Sequence, residues 1–130
     1  MEQKIVVHMK GGAIHKGVTQ DFEPSRPAFH ILPAEGGGVP VRVQTQEMKA
    51  MFWVRDYLGN RDFVAQQGFE GVAGGRKAVL TFLDGESMWG MVEDEDAQWG
   101  GFYFRPADER DNNLRIFVLK DSLKEVRWVS

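Results

Sequence analysis

The sequence predicts an all-β chain of two tandem five-stranded small barrels related by internal duplication. Three observations carry that expectation. The first is a self-match: a shift of 73 positions (85 − 12) lays Gly12 on Gly85, Gly17 on Gly90, Phe29 on Phe102 and Pro33-Ala34 on Pro106-Ala107. Beyond the prolines the shift becomes 75 (118 − 43), and Val43 meets Val118, Lys49 meets Lys124 and Trp53-Val54 meets Trp128-Val129. The change of shift falls between the polar, Gly/Asp/Asn-rich segments Ala34–Gly38 and Ala107–Asn113, where two copies of one unit tolerate a difference in length. The second is an alternation of apolar residues with period two, the mark of half-buried strands. The third is a glycine in each unit five residues beyond the turn glycine.

Taken in order, Lys4–Lys10 places Ile5, Val7 and Met9 on one face, and its counterpart places Ala78, Leu80 and Phe82 there. Gly11-Gly12 and Asp84-Gly85 then read as two-residue hairpin turns. Gly17 and Gly90 lie inside the second strands, where glycine marks a sharp bend or a close backbone approach. Third strands are expected at Phe29–Leu32 and Phe102–Arg105, and fourth strands at Pro40–Val43 and Leu114–Val118. A brief helical turn at Gln46–Lys49 and Ser122–Lys124 precedes fifth strands at Met51–Val54 and Val126–Val129. The units are residues 1–55 and 76–130, joined by a linker over 56–75 with a short helix at Arg61–Gln67, capped by Asn60 and stopped by Gly68. Units of about 55 residues bury too little surface to be robust alone, so the two are expected to pack on each other.

Composition narrows the function classes. At 42% hydrophobic and 12% aromatic, the chain is rich enough to build a core. It has no cysteine, so neither disulfides nor a thiolate nucleophile are available. No apolar run is long enough to span a membrane, and the chain starts on a polar-apolar strand and not on a signal peptide; a cytoplasmic protein without a membrane partner is expected. A formal charge of −3 gives no general pull toward nucleic acid. Walker loops, Gly-x-Ser-x-Gly elbows and paired-histidine helices are missing, which argues against an enzyme and against a bound cofactor.

Hydrophobic-x-hydrophobic-x-x-Gly, a second glycine five residues on, and a terminal Leu/Met-x-x-hydrophobic segment occur in both units. The residues are Val7, Met9, Gly12, Gly17, Met48 and Met51, then Leu80, Phe82, Gly85, Gly90, Leu123 and Val126. This pattern resembles the Sm signature, so each unit resembles an Sm-like (SH3-like barrel) fold. The phrases "GVTQDFEPSRPAFHI" (Gly17–Ile31) and "FWVRDYLGN" (Phe52–Asn60) are similar to an uncharacterised bacterial family of duplicated small β-barrel domains. That resemblance implies signalling or regulatory surroundings and supplies no catalytic residues.

An Sm-like fold implies RNA binding through loops before the third and fifth strands. Here those loops carry Glu47, Asp121 and the run Glu93-Asp94-Glu95-Asp96, whose charge repels phosphate. The acidic run lacks the spaced ligands of a calcium loop and reads as a solvated loop. In "DFEPSRPAF" (Asp21–Phe29), two prolines stiffen a loop that projects Arg26; with His30 and Arg42 it offers donors to a carboxylate or phosphate. The competing structural reading pairs Arg26 with Asp21 or Glu23. A two-residue turn at Gly11-Gly12 would set His8 directly across from His15, a pair suited to a metal but short of a third ligand. Trp53 and Trp128 hold equivalent places and are assigned to the core or the contact between units, leaving Trp89 and Trp99 as interface candidates. The expectation is a non-enzymatic adaptor that binds a protein segment through an exposed strand edge or the proline-stiffened loop. RNA or nucleotide binding through Arg26 and Arg42 is the alternative.

Overall fold

In a computed structural model, the described residues are 3–35, 38–58, 68–69, 76–96 and 100–129, with backbone alone for 94–96. The linker helix expected at Arg61–Gln67 and Trp99 lie outside them. Among the described residues ten strands form: β1 (Ile5–Met9), β2 (Ile14–Val18), β3 (Ala28–Pro33), β4 (Val41–Gln44), β5 (Met48–Val54), β6 (Arg76–Phe82), β7 (Ser87–Asp96), β8 (Gly101–Pro106), β9 (Asn113–Leu119) and β10 (Leu123–Val129). Single turns of 3-10 helix at Thr45–Glu47 and Lys120–Ser122 precede β5 and β10, slightly earlier than the spacing predicts.

All neighbouring strands run antiparallel, in the order β10-β6-β7-β8-β9-β5-β1-β2-β3-β4. The all-β expectation holds. Two closed barrels do not form: the strands make one open sheet that ends on β10 at one side and β4 at the other. The middle of that sheet is the pairing of β5 with β9, which sets Met51 against Phe117 and Trp53 against Arg115.

Pairing in β1–β5 recurs in β6–β10 at the shifts read from the sequence. Ile5 opposes Gly17 and Trp53, as Ala78 opposes Gly90 and Trp128. Phe29 opposes Val43, as Phe102 opposes Val118. At Gly17 an added Cβ would sit 2.0 Å from the Leu32 carbonyl oxygen, and at Gly90 2.2 Å from that of Arg105. Neither distance is physically possible, so these glycines are demanded by the close approach of β3 to β2 and of β8 to β7.

The hairpins depart from the expected two-residue turn. Gly12 N donates to Met9 O (3.0 Å) and Met9 N donates to Ala13 O (2.9 Å), with Gly12 at φ +100°. The loop is therefore the three residues Lys10, Gly11 and Gly12, a type I turn closed by a left-handed glycine. Gly85 does the same between Phe82 and Glu86. One extra loop residue slides the register by one position and puts His8 opposite Ile14 and His15 opposite Val7.

Two apolar cores lie on opposite faces of the middle strands. One gathers Ile5, Val7, Phe29, Ile31, Val43, Met48 and Met51 together with Phe117 and Leu119 of β9. The other gathers Ala78, Leu80, Phe82, Phe102, Phe104, Ile116 and Val118 together with Val6, Ala50, Phe52 and Val54 of β1 and β5. Alternate residues of β5 and β9 thus enter different cores, and each core is completed by the other half of the chain.

Candidate functional site

The middle and the ends of the sheet differ in what covers them. In the middle, β9 seats Phe117 opposite Met51, while Tyr103 of β8 lies 5.1 Å from the Phe117 ring and 6.0 Å from that of Trp53. The Arg115 guanidinium stands 3.7 Å from the Tyr103 ring centroid and 5.9 Å from that of Trp53. At the turn end of the same seam, Lys49 Nζ donates to Asp84 Oδ2 (2.7 Å) and Glu86 Oε1 (2.6 Å), with its side chain only 12% exposed. Burial pulls the Lys49 ammonium down, but its two carboxylate hydrogen bonds outweigh that and hold it above its usual value. The hydrogen bond from Lys49 holds Asp84 below the usual carboxylate value. Lys10 adds a bridge to Asp121 at 2.7 Å. Lys10, Lys49, Asp84 and Asp121 line a hollow of about 520 Å³ between the two hairpins.

At the end of the sheet, β10 pairs with β6 and, among the described residues, with no strand on its outer side. Its edge N–H and C=O groups are a template for one more strand. Beside it lies a groove of about 300 Å³ lined by Val92, Phe102, Leu123, Val126 and Trp128, with Lys120, Lys124 and Glu125 at its rim. Leu123 and Val126 are half-buried, and Trp128 is 48% exposed with the Arg76 guanidinium 4.3 Å from its ring centroid. Phe102, Leu123, Val126 and Trp128 are the counterparts of Phe29, Met48, Met51 and Trp53, the residues beneath Phe117 and Tyr103. The groove is the same seat without its cover.

The other end, β4, is polar. His30 of β3 and Arg42 of β4 oppose each other and are exposed. His30 Nδ1 lies 2.7 Å from Asp21 Oδ2, and the His30 backbone N–H donates to Asp21 Oδ1 (2.9 Å). These hydrogen bonds hold the Asp21 carboxyl below its usual value. Arg26 is exposed and bridges to Glu23 at 3.1 Å, the pairing anticipated as its structural role. His30 and Arg42 are thus brought together, whereas Arg26 is engaged by Glu23 and His30 by Asp21. Trp89 sits half-buried on β7 opposite Val79.

The histidine pair is a correction. The one-residue register shift sends His8 and His15 to opposite faces of the β1–β2 ribbon, so the cross-strand pair behind the metal reading is not formed. His8 packs edge-on to Phe52 at 4.9 Å; burial, reinforced by the Lys49 charge, holds its imidazole below the usual value. No group of three or more metal-ligating side chains occurs among the described residues. A second correction concerns the acidic run, expected as a loop. β7 continues through Asp96, and a bulge after Val92 lets Asp94, Glu95 and Asp96 pair with Tyr103, Phe102 and Gly101.

Sequence reasoning placed Leu123 and Val126 in the Sm-like pattern but not among the site candidates, and it gave Trp128 the same place as Trp53. The signal was present in the self-match. Ala50, Phe52, Phe117 and Leu119, all buried at the seam, have the counterparts Glu125, Arg127, Arg42 and Gln44, all exposed. Apolar residues occur at these positions only where the two halves meet.

No helix among the described residues is long and apolar enough to cross a membrane. No curated protein and no solved structure matches the chain. The profile of a family of unknown function, DUF6982, matches residues 1–130, the whole length, and the chain belongs to that family.

Proposed function

We propose that the protein is a non-enzymatic interaction module, a duplicated Sm-like unit whose two copies join head to tail and which captures a protein segment along the β10 edge. The observation supporting this reading is the contrast between β5, paired on both sides, and β10, its counterpart, paired on one among the described residues. Strand addition draws affinity from main-chain hydrogen bonds and selectivity from pockets for alternate side chains, and β10 offers both an edge and a groove. A cytoplasmic signalling or regulatory setting fits the reading.

The test is affinity capture from lysate of the native cells, with wild type beside Trp128→Asp and Arg26→Ala. A protein retained by wild type and Arg26→Ala but lost with Trp128→Asp is the expected result. Capture that ignores the edge substitution sinks the assignment of the surface. RNA or nucleotide binding is the second reading, favoured by the neighbouring His30 and Arg42 on the polar edge. Nuclease-sensitive material lost with Arg42→Ala would establish it. Asp21 beside His30 and Glu23 beside Arg26 weaken it, since both side chains are already engaged by a carboxylate.

A further inference from the structure

Two strands close the seat on β5: β9 beside it and β8 behind β9. Resting on the edge reading above, we propose that β10 receives the edge of a folded β-sheet of another protein, a strand that already has its own neighbour, and not a lone extended peptide. The outer strand of that sheet brings an aromatic residue and an aliphatic one two positions later. The strand behind it brings a second aromatic residue opposite the first and a glycine opposite the aliphatic one.

Each part is read from the filled seat. Phe117 of β9 opposes Met51, and Leu119, two residues on, is fully buried. Behind them, β8 sets Tyr103 opposite Phe117 and Gly101 opposite Leu119. A Cβ at Gly101 would lie 2.5 Å from the Val118 carbonyl oxygen and 2.7 Å from the Phe117 ring, so that ring rests against bare β8 backbone. Tyr103 reaches across β9 to the Trp53 ring at 6.0 Å. β9 alone would leave one side of the Phe117 ring without contacts and remove that neighbour from Trp53. Transposed by the self-match, the ligand's first aromatic residue faces Val126 and its aliphatic residue reaches Leu123. Its second aromatic residue approaches Trp128, which stays 48% exposed even with Arg76 beside its ring.

A second copy of the chain does not supply these residues. Its counterpart of the β8–β9 hairpin is the pair β3–β4, which brings Arg42 for Phe117, Gln44 for Leu119, His30 for Tyr103 and Ala28 for Gly101. That buries a guanidinium and an amide in an apolar groove and sets a methyl group where the ring needs bare backbone. The partner is therefore a different protein.

The probe is a fluorescein-labelled peptide of the chain's own segment 100–120, closed end to end by a D-Pro-Gly turn where Lys120 N donates to Gly100 O at 2.9 Å. It carries Phe102→Thr, Phe104→Thr, Ile116→Thr and Val118→Thr on the face turned away from the groove. The comparison peptides are the same hairpin with Tyr103→Thr and a linear segment 111–121 with the β9 changes. Anisotropy titrations against the full chain should show saturable binding of the hairpin and a loss of about tenfold or more for either comparison peptide. On the Trp128→Ala chain, Tyr103→Thr should cost little further, because the ring it covers is gone. Val126→Asp should weaken the hairpin about tenfold and Arg42→Ala should leave it unchanged, with circular dichroism checking each fold. Equal binding of the linear peptide or of the Tyr103→Thr hairpin overturns the two-strand partner while leaving an edge that takes a lone segment. Binding indifferent to both Val126→Asp and Trp128→Ala overturns the site. No binding by any peptide overturns the proposed ligand, and the capture experiment then judges the edge reading separately. Self-association through β10 that excludes the hairpin also overturns it.

Discussion

β5 and β10 occupy the same place in the strand order of their halves and begin from similar residues, yet they live in different environments. Met48, Ala50, Met51, Phe52 and Val54 of β5 are buried on both faces. The corresponding Leu123, Glu125, Val126, Arg127 and Val129 of β10 are half-buried or exposed. The same holds for β9 and β4: Phe117 and Leu119 fill a core, while Arg42 and Gln44 face solvent. The contrast teaches where apolar substitution is tolerated. A sheet edge that carried the seam's apolar pattern on both faces would recruit further strands, and charges with a proline at the entry to β4 blunt that tendency. β10 is blunted on its outward face by Glu125 and Arg127 but keeps an apolar inward face.

The largest expected effect comes from making the ends resemble the middle. A variant with Arg42→Phe, Gln44→Leu, Glu125→Ala and Arg127→Phe should associate in a concentration-dependent way that the parent does not show, measured by sedimentation equilibrium. Unchanged mass would break the claim that those four positions keep the ends apart. Next, Phe117→Ala should cost about 3–5 kcal/mol of unfolding free energy, as expected for a buried phenylalanine. Its counterpart Arg42→Ala should stay within about 0.5 kcal/mol. Urea unfolding of both variants makes the comparison direct, and similar losses would remove the distinction between seam and edge.

Smaller is the ion cluster. Lys49→Met should cost about 1 kcal/mol because it abandons Asp84 and Glu86, whereas Lys124→Met should be nearly neutral. The pH dependence sharpens the point. Asp84 is held below its unfolded value of 3.8, so its contribution is present above that value and is lost as pH falls through the lower folded value. Thermal scans from pH 5 to pH 2 should show a steeper fall for the parent than for Lys49→Met. The smallest effect concerns His8, whose imidazole is held below its unfolded value of 6.5. Stability should be full above that value and decline as pH falls from there toward the folded value, because the unfolded chain takes up the proton first. His8→Leu should flatten the melting temperature between pH 7 and pH 5.5; an unaltered slope assigns it to other groups.

Much of the fold was legible because its rules are local. Period-two alternation marked the strands, and Gly12 and Gly85 marked the turns. Gly17 and Gly90 marked the two close approaches where a carbonyl leaves no room for a Cβ. Register was less legible: Gly-Gly and Asp-Gly serve both two-residue and three-residue loops, and the single extra residue separated His8 from His15. The candidate site was less legible still. Arg26, His30 and Arg42 were selected for their chemistry, and two of them turned out to be held by nearby carboxylates. Leu123 and Val126 were read only as part of the fold pattern, because apolar residues at core spacing look alike whether or not something covers them.

Local sequence determined that this chain makes strands, where they turn, and that its two stretches pair internally at offsets of 73 and 75 residues. Tertiary structure alone decided that β5 joins β9, that one open sheet replaces two closed barrels, and that Trp53 is covered while Trp128 is not. The physical reason is range. Turn geometry and alternation act over a few residues, whereas the burial of an edge depends on which distant strand wins it.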